Sequence, residues 1–249
     1  MMNRRLGAGT TNLNFITMKK LFLCLSMLGM LLTGCSKDDD NETPGVPPLP
    51  DPNDVCSCMD DVVFMQYCYE NFDVNKDGKV SKTEANAVTK IDLGYTYNYQ
   101  DAYDVKTLTG ICYFPNLEII NCKNCERLTT VDLRHNLKIT GIQDQAFYDC
   151  PLDSIVLPSS IRWIGWSVFW GAGFLKVYCA ALTPPSLWYT DGFTPSYSGF
   201  DKYMKFYVPH KSVEAYKAAD GWKEYAGYVG SAAGNSICQC VEWRDERWD

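Results

Sequence analysis

The chain has 249 residues, of which 46% are hydrophobic and 21% are charged, so its composition is that of a globular protein rather than a disordered one. The formal net charge of −7 argues against nucleic acid as a partner, because such a partner requires a basic face. Twelve cysteines are many for a cytosolic protein and favour an oxidising compartment.

Residues 1–34 have the pattern of a secretory signal. From Met18, two lysines precede a twelve-residue apolar run, which is shorter than the ~20 residues that a membrane-spanning helix needs. The small residues that then precede Cys35 resemble the lipobox of bacterial lipoproteins, and this resemblance implies that Cys35 is lipidated and becomes the new N-terminus. Residues 1–17 are interpreted as an upstream extension, since the signal that begins at Met18 is already complete. The alternative is a plain secretory signal.

Residues 35–59 are predicted to form a lipid-anchored linker. Ser36, a lysine and three aspartates follow Cys35, and this pattern resembles the signal that sends some Gram-negative lipoproteins to the outer cell surface. Five of the twelve prolines lie between residues 37 and 55, which is typical of a semi-rigid spacer. The sequence therefore predicts an outer-membrane, lipid-anchored protein exposed at the cell surface; a solvated charge run is the alternative.

Residues 73–84 match the EF-hand calcium-loop pattern at every defined position. Ca²⁺ prefers about six to eight oxygen ligands, and carboxylate, amide and carbonyl oxygens recur here at the required spacing. Helices are predicted on both sides of the loop, over residues 60–72 and 81–90. The predicted ligands are Asp73, Asn75, Asp77, Lys79 (through its carbonyl), Ser81 and Glu84.

We predict that this calcium ion is structural, because a single extracellular loop is expected to bind it weakly. One alternative is a polar turn that binds no metal. The loop also resembles that of a cellulosome-type dockerin, but dockerins carry two such loops and usually have aspartate at the position that Glu84 occupies here.

A period in the low twenties organises the middle of the chain. Ile142 and Phe147 recur 22 residues later as Ile164 and Phe169, and the apolar residues Leu152, Ile155 and Leu157 recur at the same offset as Phe174, Val177 and Cys179. Such a period is the signature of leucine-rich repeats, whose units stack to bury one continuous core.

Two further matches to the repeat consensus begin at Leu117 and Leu128. They lie only 11 residues apart, half of the later period, so the first repeats are expected to be shorter or irregular.

Several phrases of the chain resemble the BspA-type leucine-rich repeats of bacterial surface proteins: FPNLEIINC, LTTVDLRHN, IQDQAFYDCPLDSIVLPSSI, LKVYCAALTPPSL and FYVPHKSVEAYKAADGW. The resemblance implies an α+β fold in which a solenoid of short parallel strands fills residues 116–230 together with a C-terminal cap. A helical, EF-hand-like N-terminal cap is predicted over residues 60–115, and residues 231–249 form a tail. One segment, residues 187–202, is longer than a normal return, which calls the strict stacking of the last unit into question.

The cysteines Cys122, Cys125 and Cys179 fall on inward repeat positions, where buried thiols are favoured over a metal site because the chain has only two histidines, neither at ligand spacing. Cys56 and Cys58 lie outside the repeats, and the sequence does not assign disulfide partners to them. No hydrolase, nucleotide-binding or metalloprotease motif is present, so the protein is not expected to be an enzyme.

Aromatic side chains on the long return have no repeat position to fill. The predicted ligand contacts are Trp188, Tyr189, Phe193 and Tyr197. Exposed aromatics anchor protein interfaces, and they also stack on sugar rings. The resemblance to BspA-type repeats implies a surface adhesion module for a host or partner-cell protein. The alternatives are a glycan-binding component of a surface uptake system and an envelope structural protein without a soluble ligand.

Overall fold

The structure, a computed structural model, describes residues 46, 48–94, 102–173, 175–187 and 204–232. The predicted signal, Cys35 and the tail from residue 233 lie outside the described residues, as does the long return from residue 188 to 203. Within the described ranges, no helix is long and apolar enough to cross a membrane.

The N-terminal region, which we define as residues 48–94 and 102–116, begins with a 3-10 turn at Val55–Cys58 and helix α1 at Val62–Phe72. Helix α1 starts after Asp61, whose carboxylate caps its first turn. Helix α2 spans Lys82–Ala87 and starts at a capping box.

Helix α2 is shorter than the sequence predicted. Val88 has an extended backbone (φ −79°, ψ 117°), and strand β1 already begins at Lys90. The prediction of a helix up to residue 90 is therefore wrong, because the chain leaves the helix early to pair with the repeats.

The repeat units form a solenoid, and each turn of it contributes two short strands. One side of the solenoid contains β1 (Lys90–Asp92), β2 (Ile119–Asn121), β4 (Gly141–Ile142), β6 (Trp163–Ile164) and β8 (Ser186–Leu187). The other side is a five-stranded sheet of β3 (Thr130–Asp132), β5 (Ser154–Leu157), β7 (Lys176–Cys179), β9 (Lys205–Val208) and β10 (Val229–Ser231). Strand β1 pairs with β2, the last three strands of the first side pair in the order β4-β6-β8, and the second side has the order β10-β9-β7-β5-β3. All of these pairs are parallel.

The two sides explain the short spacing of the first consensus matches. Strands β2 and β3 follow each other in the chain but belong to different sheets, whereas β2 and β4, one full period apart, contact each other. The expectation that the first repeats are short or irregular is therefore wrong. The consensus recurs twice in each turn because both halves of a turn bury apolar side chains in the same core.

The core is built from ladders of equivalent positions, as the 22-residue period predicted. Ile155 pairs in register with Val177, and Leu157 with Cys179, and all four side chains are buried. Between the strands, the rings of Phe147 and Phe169 stack with their centroids 6.1 Å apart. Each turn thus covers the apolar edge of the turn before it. Phe174 itself lies outside the described residues.

The last turn stacks in register in spite of its longer return. Lys176 pairs with Lys205, beyond that return, and β9 continues the sheet without a break. The doubt raised by the long return is resolved, because the additional residues fall between β8 and β9 and leave the strand pairing unchanged.

The C-terminal end of the solenoid is closed by helix α3 (Val213–Ala218) and a 3-10 helix at Trp222–Tyr228. The Tyr216 hydroxyl donates to the Ala181 carbonyl at 2.8 Å, and Trp222 Nε1 donates to the Pro185 carbonyl at 2.7 Å. Strand β10 then pairs with β9 at the edge of the sheet. The sequence did not predict β10, because three residues are too few to show an alternation of apolar and polar side chains.

Candidate functional site

The predicted calcium loop is closed by its own carboxylates. Asp73 accepts hydrogen bonds from the backbone N–H of Asp77 at 3.1 Å and of Gly78 at 2.9 Å, and Gly78 has the left-handed φ of +85° that the sharp turn requires. Across the loop, Glu84 Oε1 accepts the Val74 N–H at 2.9 Å. The first and last predicted ligands, Asp73 and Glu84, therefore both accept backbone hydrogen bonds that close the loop.

Two other predicted ligands are held within the same network. The Asn75 side-chain amide donates to Asp77 Oδ2 at 3.1 Å, and the Ser81 hydroxyl donates to Glu84 Oε2 at 2.8 Å. Hydrogen bonds from the Ser81 N–H and hydroxyl, and from two loop N–H groups, lower the pKa of Glu84. This carboxylate therefore remains ionised to a lower pH than an isolated glutamate.

The donor chemistry of the loop suits Ca²⁺, because every predicted ligand offers a hard oxygen. Among the described residues, however, no group of three or more His, Cys, Asp or Glu side chains is arranged to hold a metal ion. The loop carboxylates accept hydrogen bonds from N–H and O–H groups, and each carboxylate has about four acceptor sites, so these bonds do not exclude a metal ion. Calcium binding by this loop stays a prediction.

Asp54 joins the loop to the rest of the N-terminal region. Its Oδ1 accepts the N–H of Val80 at 3.2 Å and of Cys56 at 3.0 Å, while its Oδ2 accepts the Tyr69 hydroxyl at 2.6 Å. The Val80 carbonyl in turn accepts the Val55 N–H at 2.9 Å. Burial, together with the hydrogen bond to Asp54, raises the pKa of Tyr69. Sequence reasoning did not single out Asp54, since no motif marks it.

The inward cysteines are buried, as predicted. The Cys150 thiol donates to the Cys122 carbonyl at 2.9 Å, and the Cys125 thiol donates to the Leu93 carbonyl at 3.5 Å. Burial raises the pKa of both Cys122 and Cys150, which keeps these thiols protonated and unreactive. Their positions are those of small core residues.

A second candidate site lies on the outer face of the five-stranded sheet. Val177 and Phe206 point into the core, so the residues on either side of each point outward. We call these four residues the tyrosine–lysine patch: Lys176 and Tyr178 on β7, and Lys205 and Tyr207 on β9.

The register of β7 and β9 places like residues of the patch side by side. Lys176 pairs with Lys205, and Tyr178 pairs with Tyr207. The two rings are nearly parallel, 14° apart in orientation, with centroids separated by 4.7 Å. Both lysines are exposed, Tyr207 is half-buried, and Tyr178 is buried behind it, so that burial raises the pKa of Tyr178.

The aromatic contacts predicted on the long return all lie outside the described residues. This holds for Trp188, Tyr189, Phe193 and Tyr197. Their assignment as ligand contacts stays a prediction, and so does the lipidation of Cys35.

Residues 100–179 match the family model described as BspA type Leucine rich repeat region, in six copies. This stretch is similar to BspA-type leucine-rich repeats. The match covers about a third of the chain and includes strands β2 to β7. Repeats of this family are non-enzymatic binding modules that commonly serve surface adhesion, and leucine-rich repeat domains generally bind proteins. None of the curated proteins matches the chain.

Proposed function

We propose that the protein is a cell-surface lipoprotein that binds a partner protein through the outer face of its five-stranded sheet. The observation that carries this proposal is the tyrosine–lysine patch. The two lysines of the patch are exposed and point away from the core, so packing of the repeats does not account for them. A continuous parallel sheet holds them in fixed positions, and binding requires such positions.

The binding role is tested first by the location of the protein on intact cells. External protease should cleave the full-length protein without lysis of the cells, because the proposed anchor at Cys35 and the proline-rich linker would hold the repeats outside. A pull-down of surface proteins from partner cells would then identify the ligand. Full protection from protease would overturn the adhesion proposal and favour the envelope structural role.

The anchor itself has a separate test. The variant Cys35→Ala should leave the membrane fraction, whereas Cys58→Ala, a cysteine within the N-terminal region, should remain there. If Cys35→Ala stayed in the membrane fraction, the lipid anchor would be refuted and the protein would have to reach the membrane by another route.

We further propose that Ca²⁺ stabilises the N-terminal region through the loop at residues 73–84. Its oxygen donors and their spacing support this role. An extracellular site of this kind binds with a Kd of about 10⁻⁴–10⁻³ M, so millimolar calcium should raise Tm relative to chelator. The variant Asp73→Ala should abolish the shift, and the matched variant Asp220→Ala, at an exposed aspartate outside the loop, should retain it. An equal Tm in calcium and in chelator would contradict the proposal.

Glycan binding remains the second candidate function, because a half-buried tyrosine ring such as Tyr207 also offers a surface on which a sugar ring can stack. Binding of the purified protein to an array of neutral polysaccharides, together with an empty protein pull-down, would favour it. Protein binding is preferred because it is what leucine-rich repeat domains generally do.

A further inference from the structure

The tyrosine–lysine patch places two cations directly opposite each other on neighbouring strands. Strands in a sheet lie about 4.8 Å apart, and like charges directly opposite each other destabilise the sheet. Lys176 and Lys205 occupy such a pair. The pairing of Lys176 with Lys205 therefore does not stabilise the sheet.

No ion pair balances these two charges within the described residues. Six other basic residues there do pair with carboxylates, among them Lys90 with Asp92 at 2.7 Å and Arg127 with Asp104 at 2.6 Å. The row that contains the two lysines continues toward β3 with neutral side chains, Ser154 and then Thr130. The positive charge is therefore local, in a chain whose net charge is −7.

The tyrosine row lies two residues further along the same strands. Residues i and i+2 of a strand are about 6.6 Å apart on one face, so the lysine row and the tyrosine row are separated by about this distance. Tyr207 supplies the accessible ring surface, and Tyr178 supports it from the neighbouring strand with its ring 4.7 Å away. Cationic and aromatic surfaces thus lie side by side at fixed spacing.

An extended polypeptide repeats its side chains at this same spacing. If an acidic side chain lies between the two ammonium groups, the second side chain along the peptide reaches the tyrosine ring. Charge complementarity favours a carboxylate at the first position, and the ring surface favours an apolar or aromatic side chain at the second.

We propose that the tyrosine–lysine patch binds an extended acidic segment of the partner protein, with a carboxylate between Lys176 and Lys205 and an apolar side chain against Tyr207. This inference rests on the proposed function, since it names the chemistry of the partner at the same surface. Interactions that involve charged groups on both sides weaken with salt, so binding should depend strongly on ionic strength.

The experiment uses the full-length protein, purified in detergent, and two labelled peptides of about ten residues. One alternates glutamate and leucine at positions i and i+2, and the other has glutamine in place of glutamate. Fluorescence anisotropy should show that the protein binds the acidic peptide at least about tenfold more tightly than the glutamine peptide, and that the difference shrinks at high salt. Equal affinity for the two peptides would overturn the proposal.

Variants then locate the contact. The variant Lys176→Gln/Lys205→Gln removes both cations of the patch. Its affinity for the acidic peptide should therefore fall at least about tenfold. The matched control Lys106→Gln/Lys138→Gln removes two exposed lysines elsewhere and should bind as the parent does. Unfolding does not confound the result, because relief of the like-charge pair should leave Tm unchanged or slightly higher. Unchanged peptide affinity in the first variant would place the binding elsewhere.

A third measurement separates this inference from the proposed function. Lys176→Glu/Lys205→Glu on intact cells should fail to capture the partner protein that the parent captures. If the charge-reversed protein still captured that partner, the acidic-segment proposal would fall while the adhesion role stood. Binding of an acidic polysaccharide in place of the acidic peptide would overturn the assignment of a polypeptide ligand.

Discussion

In the N-terminal region, single carboxylates connect elements that do not recur elsewhere among the described residues. Asp54 joins the 3-10 turn, helix α1 and the loop at residues 73–84, and Asp61 joins α1 to the backbone at Lys106. In the repeats, by contrast, apolar residues at equivalent positions form ladders such as Ile155 with Val177. One region depends on individual polar contacts, and the other depends on a repeated pattern.

The difference follows from what each region buries. A buried carboxylate must receive hydrogen bonds to offset its desolvation, so its position is determined by a few specific donors. A ladder of apolar side chains has no such requirement, and each turn needs only a neighbour of similar size and shape. Removal of a ladder residue should therefore affect stability most, and removal of a carboxylate should act more locally.

Phe147→Ala should have the largest effect. The ring is fully buried and stacks on Phe169, so its removal leaves a cavity between two turns and should lower the free energy of unfolding by about 3–5 kcal/mol. Urea denaturation measures the change. Leu137→Ala, at a side chain that is 51% exposed, is the control and should cost less than about 0.5 kcal/mol. A loss from Phe147→Ala as small as that of the control would contradict the continuous core.

Asn136→Ala tests the junction between the two regions. The buried amide of Asn136 donates to the carbonyls of Ile111 at 2.9 Å and Phe114 at 3.1 Å. The Ile111 carbonyl keeps the Phe114 N–H as a donor and the Phe114 carbonyl keeps the Leu117 N–H, but two buried hydrogen bonds are lost, so the free energy of unfolding should fall by about 1–3 kcal/mol. Asn116→Ala removes an exposed amide that donates to the Asn86 carbonyl at 2.8 Å, and it should cost much less. If both variants lost the same amount, the junction would have no special role.

Asp61→Ala should destabilise the N-terminal region by about 1–2 kcal/mol, because helix α1 loses its N-cap and Lys106 N–H loses an acceptor. Hydrogen exchange should become faster in α1 and stay unchanged in strands β5 and β7. The neighbouring variant Asp60→Ala removes only an exposed contact with the Thr107 hydroxyl and serves as the control. Equally faster exchange in the repeats would mean that the two regions unfold as one.

The pH dependence of stability should appear only in alkaline solution. Burial raises the pKa of Cys58 to about 12 and that of Cys112 to about 11, from an ordinary value of 9.0. Above pH 9 the unfolded chain releases these protons while the folded chain keeps them, so stability is complete below pH 9 and decreases as the pH rises toward 11. Urea denaturation at pH 8 and pH 10 should show the decrease, and Cys58→Ser/Cys112→Ser should reduce it. An unchanged slope in this variant would contradict the assignment.

The repeats were largely predictable because their signal is periodic. A 22-residue offset implies that Ile142 faces Ile164 and that Ile155 faces Val177, and the strand register confirms both pairs. The same pattern misled at the first turns, since an offset of half a period does not distinguish a short repeat from half of a longer one. Only the pairing of strands in three dimensions separates the two cases.

The sites were less predictable. The loop at residues 73–84 is recognisable because its ligand spacing is local, but Asp54, which meets Val80 26 residues away, gives no local signal. The tyrosine–lysine patch was missed for a related reason. Lys176 and Lys205 lie on opposite sides of the long return, so their pairing depends on the number of residues in that return.

By itself the sequence determined the repeat architecture, the inward positions and the oxygen donors of the loop at residues 73–84, because each of these is encoded by residues at fixed local or periodic spacing. The tertiary structure alone decided that every turn contributes to two sheets, that Asp54 anchors the loop, and that two lysines and two tyrosines form one surface. These features arise from contacts between segments whose separation along the chain follows no period. They exist only once the core has brought those segments together.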